Sequence, residues 1–527
     1  MHRGCAMTAA RRRPGWADPW LWTVAGAAAR HAVGAWRLRQ SLAFLDASRR
    51  SLPADGPSSA SAPVLHLVIP VLWEQQHVAG AVRWFADLAQ QIPGCTVTFV
   101  STAREEHERQ LLIGRLTGLT AAAVTARRFP QLTPDDVDQL SNLARLQPLT
   151  EADARTVLGG RRLTGDVLDT VLAARPPAGV VRHVRYPGSG RKAAQINHAV
   201  AGLSEKDPGL AYVVVYDVDS RPDVAMLRCT IEHLLHRKQT TGRLPLVVQQ
   251  SARFHTAGSA RRGWERSICR GSATVQTLWT LRREIPSFRR FAYAGAHATG
   301  LSAVDAARRG LVQTVGHGLL VRLDLFRDLE GMPEYTTLDD LPFGYALTLR
   351  GIPVDVLPVL LDAPAPEHAA ELVTTLRRWW SSYLDYPACA KAAYRNGVGD
   401  RAEHAAALAT AGYRAAAWLA AGPATAICAV AVLRPSSRPL VRLLGAAALW
   451  LGCVTPVRMS AAAEPLTPGP ASQAQQAVEV FAAYLVRGLG PATAVGSAVT
   501  RHLRGRITAG LDLSPKTYHR SSPREES

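Results

Sequence analysis

Two aspartates at the end of an apolar run are the residues in this sequence best suited to chemistry. Residues 210–216 are almost wholly apolar, and Asp217-Val218-Asp219 follows at once. The apolar run predicts a strand buried on both faces, as in parallel sheets, and side chains two residues apart on extended backbone point the same way. Two such carboxylates can hold Mg²⁺, with water and phosphate oxygens completing its shell. A pair of solvated acids that open a turn before Pro222 is the alternative interpretation.

A basic, glycine-containing loop precedes these acids. Gly188-Ser189-Gly190-Arg191-Lys192 leads into a predicted helix that contains Asn197. Glycines before a helix N-terminus let backbone N–H groups approach an anion, and Arg191 and Lys192 add positive charge. The spacing of a Walker loop is absent. The loop therefore indicates an anion site, with an ordinary basic turn as the alternative.

Three later segments carry further candidate residues. His317 lies between two glycines, where a backbone can approach a ligand closely, although a structural histidine fits the same pattern. Asp339 and Asp340 precede a predicted helix, where they either exchange protons or complement the helix dipole. Trp379 and Trp380 follow Arg378 in an amphipathic stretch, and they form either a stacking platform or an ordinary buried interface.

The elements that must position these residues alternate between strand and helix patterns. This alternation predicts an α/β fold with a right-handed, doubly wound, mostly parallel sheet. Helix starts with Thr133, Thr150 and Thr164 as N-caps indicate a helical insertion at residues 117–178. The predicted strands cover residues 64–70, 95–100, 180–185, 210–216, 245–251, 291–294, 316–322 and 352–360.

The composition of the chain indicates which classes of partner it binds. The formal charge is +19, but no basic run alternates with aromatic residues as in a nucleic-acid groove. Arginines flank the apolar C-terminal segments, and twelve tryptophans suit a protein at a bilayer interface. Seven cysteines without a CxxC pair favour a reducing cytosol over a disulfide framework or a zinc site. We therefore expect a membrane partner and no nucleic acid.

The domain organisation follows from these patterns. We expect residues 16–48 to form a helix that lies on a membrane or on the catalytic domain, and residues 415–433 and 443–457 to form a transmembrane hairpin. A re-entrant or interfacial pair is the alternative, because the turn between them carries arginine. The predicted units are residues 1–62 (basic interfacial helix and linker), 63–365 (catalytic domain), 366–405 (amphipathic interface helices), 406–460 (transmembrane hairpin) and 461–527 (amphipathic or third membrane helix and basic tail).

Taken in order, residues 64–400 resemble a membrane-bound family 2 glycosyltransferase with the GT-A nucleotide-sugar fold, related to cellulose and hyaluronan synthases. Four motifs carry the resemblance. They are Pro70 with Glu74 (Pro-x-x-x-Glu), Gly190-Arg191-Lys192 with Asn197 (Gly-x-Lys-x-x-x-x-Asn), Asp217-Val218-Asp219 (the metal-binding Asp-x-Asp) and Thr337-Leu338-Asp339-Asp340 (the Thr-Glu-Asp segment).

The resemblance implies an inverting, metal-dependent sugar transfer. In it Asp217 and Asp219 hold Mg²⁺ or Mn²⁺ against the diphosphate of a nucleotide-sugar donor, a UDP-sugar in particular. Asp340 acts as the general base, and Asp339 orients it or the acceptor. The resemblance further assigns donor binding to Pro70, Glu74, Lys192, Asn197, Asp217 and Arg378, and acceptor binding to His317, Trp379 and Trp380.

Three positions depart from the family pattern. Arg104 follows the second strand where many members carry a base-binding Asp, which leaves the nucleotide open. Asp339 replaces the usual Glu, and Thr375 replaces the Gln of Gln-x-x-Arg-Trp. We therefore expect transfer of one or a few sugars to a lipid-linked or glycan acceptor, at the cytosolic face of the cell membrane. A processive polysaccharide synthase and a catalytically silent scaffold are the alternatives.

Overall fold

The structure is a computed structural model of the 527-residue chain. It describes residues 19–52, 62–125, 128–129, 132–174, 180–205, 207–256, 263–336, 338, 340–463 and 472–503.

A seven-stranded sheet forms the centre, with the strand order β3-β2-β1-β4-β7-β5-β8. Only β7 runs antiparallel to its neighbours among these strands, and β6 and β9 pair in a separate parallel ribbon. The α/β class and the mostly parallel sheet are confirmed. The strands are β1 Val64–Pro70, β2 Cys95–Thr102, β3 Val181–Tyr186, β4 Ala211–Val215, β5 Val247–Gln249, β6 Ala252–His255, β7 Leu319–Arg322, β8 Val354–Val356 and β9 Leu361–Pro364.

Helices cover both faces of the sheet and extend beyond it. The first group is α1 Pro19–Arg50, α2 Gln75–Gln90, α3 Arg104–Leu116, α4 Pro134–Leu143, α5 Glu151–Gly159, α6 Thr164–Ala174, α7 Lys192–Ala201, α8 Val224–Thr241, α9 Trp264–Trp279 and α10 Ile285–Ala296. The second group is α11 Ser302–Arg309, α12 Leu323–Asp328, α13 Asp340–Leu349, α14 Ala369–Ser381, α15 Tyr386–Arg395, α16 Arg401–Leu419, α17 Ala421–Leu433, α18 Pro439–Leu449, α19 Thr455–Ala463, α20 Gln473–Val486 and α21 Leu489–Leu503.

Strand β4 is buried along its whole length, as its apolar run predicts. Val213 and Val215 pack into the core on one face of the sheet. Tyr212 and Val214 pack into the core on the other face. Because side chains alternate along extended backbone, this single strand packs against a helical layer on each face of the sheet.

The strand predicted at residues 291–294 is wrong, because this segment lies in α10. Phe288, Phe291 and Ala294 are buried at a spacing of three residues, while Tyr293 is 60% exposed. That period is helical. A π-helical turn, Thr280–Glu284, joins α9 to α10.

Three short helices, α4 to α6, occupy the predicted insertion. Thr133 and Asp136 form a reciprocal capping box at the start of α4, and Thr150 and Asp153 form another at α5. These side chains satisfy backbone N–H groups that a helix start leaves without partners. Helices α4 and α5 pack with the end of α3 around their own small apolar core.

The helices long and apolar enough to cross a membrane match one arm of the predicted hairpin, residues 443–457, but not the other, residues 415–433. Within the described ranges they are Pro439–Ser460 and Gln473–Thr500, and the pair α16–α17 adds a third only if its 48° bend is counted as part of one span. The bend divides the predicted span 415–433. Its cause is Pro423, whose ring blocks a hydrogen bond to the carbonyl of Leu419, the last residue of α16.

Helix α1 connects the two parts of the molecule. Val24 and Ala28 pack into an apolar cluster with residues of α17 and α18. Leu38 and Leu45, about three and five turns beyond Ala28, pack into the core of the sheet. One half of α1 therefore packs on the core of the sheet, and the other half packs on the C-terminal helices.

Candidate active site

One cavity of about 470 Å³ lies where β1 and β4 end. Because these strands are parallel, their carboxyl ends share one edge of the sheet, the usual ligand-binding edge of α/β folds. We call it the catalytic cavity. The predicted site residues that line it are Pro70, Glu74, Lys192, Asp217, Asp219, His317, Asp340, Arg378 and Trp379.

The two acids after β4 lie on a tight turn. The strand ends at Val215, the Ser220 N–H donates to the Asp217 carbonyl at 3.0 Å, and the Asp217 N–H donates to Ser220 Oγ at 3.2 Å. The expectation that Asp217 and Asp219 leave an extended strand is therefore wrong. Both still line the cavity, Asp217 half-buried and Asp219 exposed.

Lys192 connects this turn to the far side of the cavity. As the first residue of α7, it donates from Nζ to Asp217 Oδ1 at 2.5 Å and to the Gly316 carbonyl at 2.7 Å. The Gly316 N–H in turn donates to Asp340 Oδ2 at 2.9 Å. The two predicted carboxylate sites, far apart in sequence, thus belong to one polar network.

Asp340 stands at the start of α13 with one carboxylate oxygen bonded and one not. Its Oδ1 is out of contact with solvent and has no hydrogen-bond partner among the described residues. Burial raises the pKa of Asp340, and Lys192 and the Gly316 N–H oppose that rise. A buried acceptor without a donor is rare in proteins, so this oxygen is suited to receive a proton from a ligand.

Two further polar atoms of the cavity are buried without a hydrogen-bond partner among the described residues. They are His317 Nε2 and Arg378 Nε. Burial lowers the pKa of His317, although nearby Asp217 raises it, so the ring is neutral. Burial lowers the pKa of Arg378, opposed by Asp217 and Asp340. Both carboxylates therefore lie within the field of the Arg378 cation.

The structure places two predicted residues outside the cavity lining and leaves one undescribed. Asn197 donates to the Met332 carbonyl at 2.8 Å and accepts from the Met332 N–H at 2.7 Å, so it holds a loop. Trp380 donates from its indole to the Ala415 carbonyl at 3.0 Å and is buried between helices. Asp339 lies outside the described residues. Trp379 alone of the tryptophan pair reaches the cavity, with its ring edge against Phe254.

Three residues that follow β1 and β2 complete the cavity wall. Sequence reasoning noted Arg104 only as a departure from the family pattern, and it missed Trp73 and Glu108. Trp73, Arg104 and Glu108 all line it. Glu108 accepts from Arg104 Nε at 2.6 Å and from the Trp73 indole at 2.7 Å. Trp73 has a φ of 56°, an uncommon left-handed backbone for a bulky residue. The spacing of four residues between Arg104 and Glu108 is visible in the sequence, whereas the contact between Trp73 and Glu108 is not.

Glu284 is a further residue that sequence reasoning missed, and it comes from the π-helical turn. It lines the cavity and accepts from Ser251 Oγ at 2.6 Å. Burial raises the pKa of Glu284 to about 8, opposed by the Ser251 hydrogen bond and increased by Asp340. The carboxyl group is therefore largely protonated at neutral pH. An acid inside an otherwise helical pattern was the only signal in the sequence.

The carboxylates of the turn suit a divalent cation that shares its shell with a ligand. Among the described residues, no group of three or more His, Cys, Asp or Glu side chains is placed to hold a metal ion. Asp217 and Asp219 supply two carboxylates at one cavity wall. Mg²⁺ is commonly bound by one or two carboxylates, with substrate phosphates and water as the other ligands. The donor set therefore fits a metal that arrives with a phosphate.

Comparisons with known proteins give little beyond this geometry. No protein-family model matches the chain, and no curated protein matches it. Among solved structures, it is similar to the mannosyltransferase PcManGT from Pyrobaculum calidifontis in complex with GDP-Man and Mn²⁺. The two are 12% identical with a TM-score of 0.43, over 90% of this chain and 99% of that chain. At this level of similarity, the match does not say what this chain binds.

Proposed function

We propose that this protein is an inverting, metal-dependent glycosyltransferase of the GT-A type. It moves a sugar from a nucleotide-diphosphate donor to a lipid-linked or glycan acceptor. The observation that carries the proposal is the network of Asp217, Lys192, Gly316 and Asp340 within one cavity. It joins a pair of carboxylates suited to a metal–phosphate complex to a buried carboxylate suited to take a proton.

The donor diphosphate belongs at the turn after β4. Asp217 and Asp219 would hold Mg²⁺ or Mn²⁺, which neutralises the leaving diphosphate when bound. Lys192 neutralises Asp217 in the structure, and it would balance phosphate charge once a cation takes that carboxylate. Glu74, with Pro70 beside it, would contact the nucleoside at the end of β1. We expect a UDP-sugar donor.

The acceptor hydroxyl belongs beside Asp340. Its Oδ1 is the proposed proton acceptor, and a pKa raised by burial brings the base nearer to the operating pH. Arg378 would balance the charge that develops on the diphosphate, and Trp379 would stack on the acceptor. His317 would hydrogen-bond the acceptor through Nε2. Asn197 and Trp380 would act indirectly, by holding the loop around Met332 and the helix that carries Trp379.

The membrane assignment rests on the C-terminal helices. Two helical stretches, Pro439–Ser460 and Gln473–Thr500, are compatible with membrane association. We propose that the protein resides in the cell membrane with the catalytic domain in the cytosol, where nucleotide sugars are made. Labelling of Cys229, a partly exposed thiol of α8, by an impermeant reagent in whole cells would contradict this orientation.

Donor screening tests the proposed function. The full-length protein in detergent is titrated with UDP- and GDP-linked sugars, each with Mn²⁺, Mg²⁺ or neither metal. We expect metal-dependent binding of one donor, followed by transfer or slow donor hydrolysis. If no donor in the panel binds or turns over, the protein is a scaffold and the proposal is wrong. Long products from the purified protein would instead show a processive synthase.

A further inference from the structure

A second cavity of about 960 Å³ lies beside the catalytic cavity, along α1 and α10. Nine arginines line it, together with a single carboxylate, that of Asp355. The mechanism proposed above uses none of them. We call it the arginine cavity. Its net charge is strongly positive, so it favours an anionic ligand.

Three of these arginines are buried, and their described partners are all uncharged. Arg282 donates weakly to the Tyr484 hydroxyl at 3.3 Å, and its Nε has no partner among the described residues. Arg414 donates to Gln313 Oε1 at 2.6 Å and to the Leu311 carbonyl at 3.0 Å. Arg487 lies over the Trp418 ring at 4.8 Å. Three buried cations without a counter-charge are costly unless an anion joins them.

The more exposed arginines add to the same charge. Arg30 donates to the Ala417 carbonyl, and Arg289 lies over the Phe44 ring. Only Arg237 has an acidic partner, Asp355 at 2.6 Å. The other eight arginines of the cavity form no ion pair with any carboxylate in the part of the chain that the structure describes. They are Arg30, Arg37, Arg282, Arg283, Arg289, Arg290, Arg414 and Arg487.

This charge acts on the titratable groups around it. Burial lowers the pKa of His31 to about 3, and Arg282 and Arg30 lower it further. Burial lowers the pKa of Arg37, and Arg283 adds to the effect. Guanidinium groups bind the oxygen pairs of phosphate and carboxylate groups bidentately, whereas an ammonium group acts as a point charge. Arginine without lysine in the lining therefore indicates an oxyanion such as a phosphate.

The position of the cavity favours a phosphate that is attached to a lipid. On α1, Arg30 and Arg37 lie between Ala28, which packs on the apolar C-terminal helices, and Leu38, which packs on the sheet core. The arginines are thus at the level where the helices compatible with a membrane meet the catalytic domain. Aromatic residues collect at that level in membrane proteins. Three exposed aromatic residues line the cavity: Trp36, Tyr293 and Tyr413.

The two cavities share a wall. Trp279, Tyr383, Trp418 and Arg487 line both of them. We propose that the arginine cavity binds the phosphate headgroup of a lipid, and that this lipid presents the acceptor to the catalytic cavity across the shared wall. The acceptor role rests on the proposed function, whereas the binding of a lipid phosphate does not.

Binding is tested on the full-length protein in detergent micelles, with hexadecyl phosphate, hexadecanol and inorganic phosphate as ligands. The double variant Arg37→Gln/Arg283→Gln removes two charges from the cavity. Its control, Arg39→Gln/Arg83→Gln, removes two charges from exposed positions outside it. We expect the first variant to weaken hexadecyl phosphate binding at least about tenfold, which is 1.4 kcal/mol, and the control to bind like the unmodified protein. Hexadecanol, which lacks the phosphate, should bind equally tightly to both double variants.

Two results would overturn the lipid site. Inorganic phosphate that binds as tightly as hexadecyl phosphate would mean a site for a soluble anion. An equal loss of hexadecyl phosphate affinity in both double variants, or no loss in either, would mean that the lipid binds elsewhere on the protein.

The acceptor role has a separate readout. In transfer assays, the double variant Arg37→Gln/Arg283→Gln should raise the KM for a lipid-phosphate acceptor and leave metal-dependent donor binding unchanged. An unchanged acceptor KM overturns the acceptor role alone. If no donor binds to any sample while hexadecyl phosphate binding still depends on Arg37 and Arg283, the proposed function fails and the lipid site stands.

Discussion

The catalytic cavity and the arginine cavity share a wall but differ in charge. Acidic and basic side chains are mixed in the first, whereas arginines predominate in the second. In the catalytic cavity, carboxylates and cations alternate, and Lys192 lies between Asp217 and the backbone that holds Asp340. In the arginine cavity, eight cations have no described counter-ion. Mixed charge suits a metal–diphosphate complex and a proton transfer, whereas a large excess of positive charge suits the capture of an anion.

The π-helical turn Thr280–Glu284 supplies side chains to both cavities. Glu284 lines the catalytic cavity, and Arg282 and Arg283 line the other. A π turn carries an extra residue, so it rotates the side chains that follow relative to a regular helix, and such turns are frequent at functional sites. One short segment thus serves two sites whose electrostatic requirements conflict.

The largest effect should come from removing the proposed base. Asp340→Asn keeps the shape of the side chain but cannot accept the proton, so we expect kcat for transfer to fall about 10²–10⁴-fold. Donor binding and hexadecyl phosphate binding should persist, since neither needs this proton acceptor. Steady-state kinetics and titration calorimetry measure the two effects, with Asp328→Asn, an exposed position, as the control. Loss of donor binding would assign Asp340 to the donor instead.

The next largest effect should be on metal-dependent donor binding in the catalytic cavity, with ligand binding in the arginine cavity unchanged. Asp217→Ala removes one proposed metal ligand, so we expect the Mn²⁺-dependent affinity for the nucleotide sugar to fall by about tenfold or more, or 1.4 kcal/mol. Hexadecyl phosphate binding should not change. Titrations with and without Mn²⁺ measure this, with Asp87→Ala on the surface of α2 as the control. Equal donor affinity in both variants would exclude Asp217 from the metal site.

A pH profile tests the environment of the base. The pKa of Asp340 is raised above the ordinary value of 3.8, and the proposed mechanism needs the ionised form. The rate should therefore decline, as pH falls, at a higher pH than an exposed aspartate would produce. The measurement is kcat against pH at saturating donor and acceptor. A rate that stays level down to pH values near 4 would argue against Asp340 as the base.

The smallest effect should be on stability. The pKa of Glu284 is raised to about 8 from 4.5, so between these values the folded state keeps a proton that the unfolded state releases. The stabilisation is complete below pH 4.5 and is lost as pH rises to 8. Glu284→Gln stays neutral, so its Tm relative to the unmodified protein should rise by a few degrees across this window. An offset that is the same at pH 5 and pH 8.5 would contradict the raised pKa.

Much of the fold and part of the site could be predicted, because the signals are local. The apolar run before Asp217 predicts a strand buried on both faces, and β4 is one. The position of Lys192 at a helix start and of Asp217 after a strand brings both to one sheet edge. Pro423 marks the bend between α16 and α17 in the sequence as well, although the prediction passed over it. Each of these signals acts through backbone geometry within a few residues.

Other features depend on contacts between distant segments. Whether a tryptophan lines a cavity depends on which way its helix is turned, so Trp379 reaches the catalytic cavity and Trp380 bonds to Ala415 instead. Asn197 faces a loop near Met332, which no spacing motif could show.

The sequence by itself thus determined the α/β class, the buried central strand and the order of the acidic and basic motifs along the sheet edge. Only the tertiary structure joined Asp217 to Asp340 through Lys192 and Gly316. It alone gathered arginines from α1, α10, α16 and the end of α20 into one cavity. The physical reason is that strand and helix periodicity act over a few residues, whereas the field inside a cavity is the sum over every chain segment that packing brings to its wall.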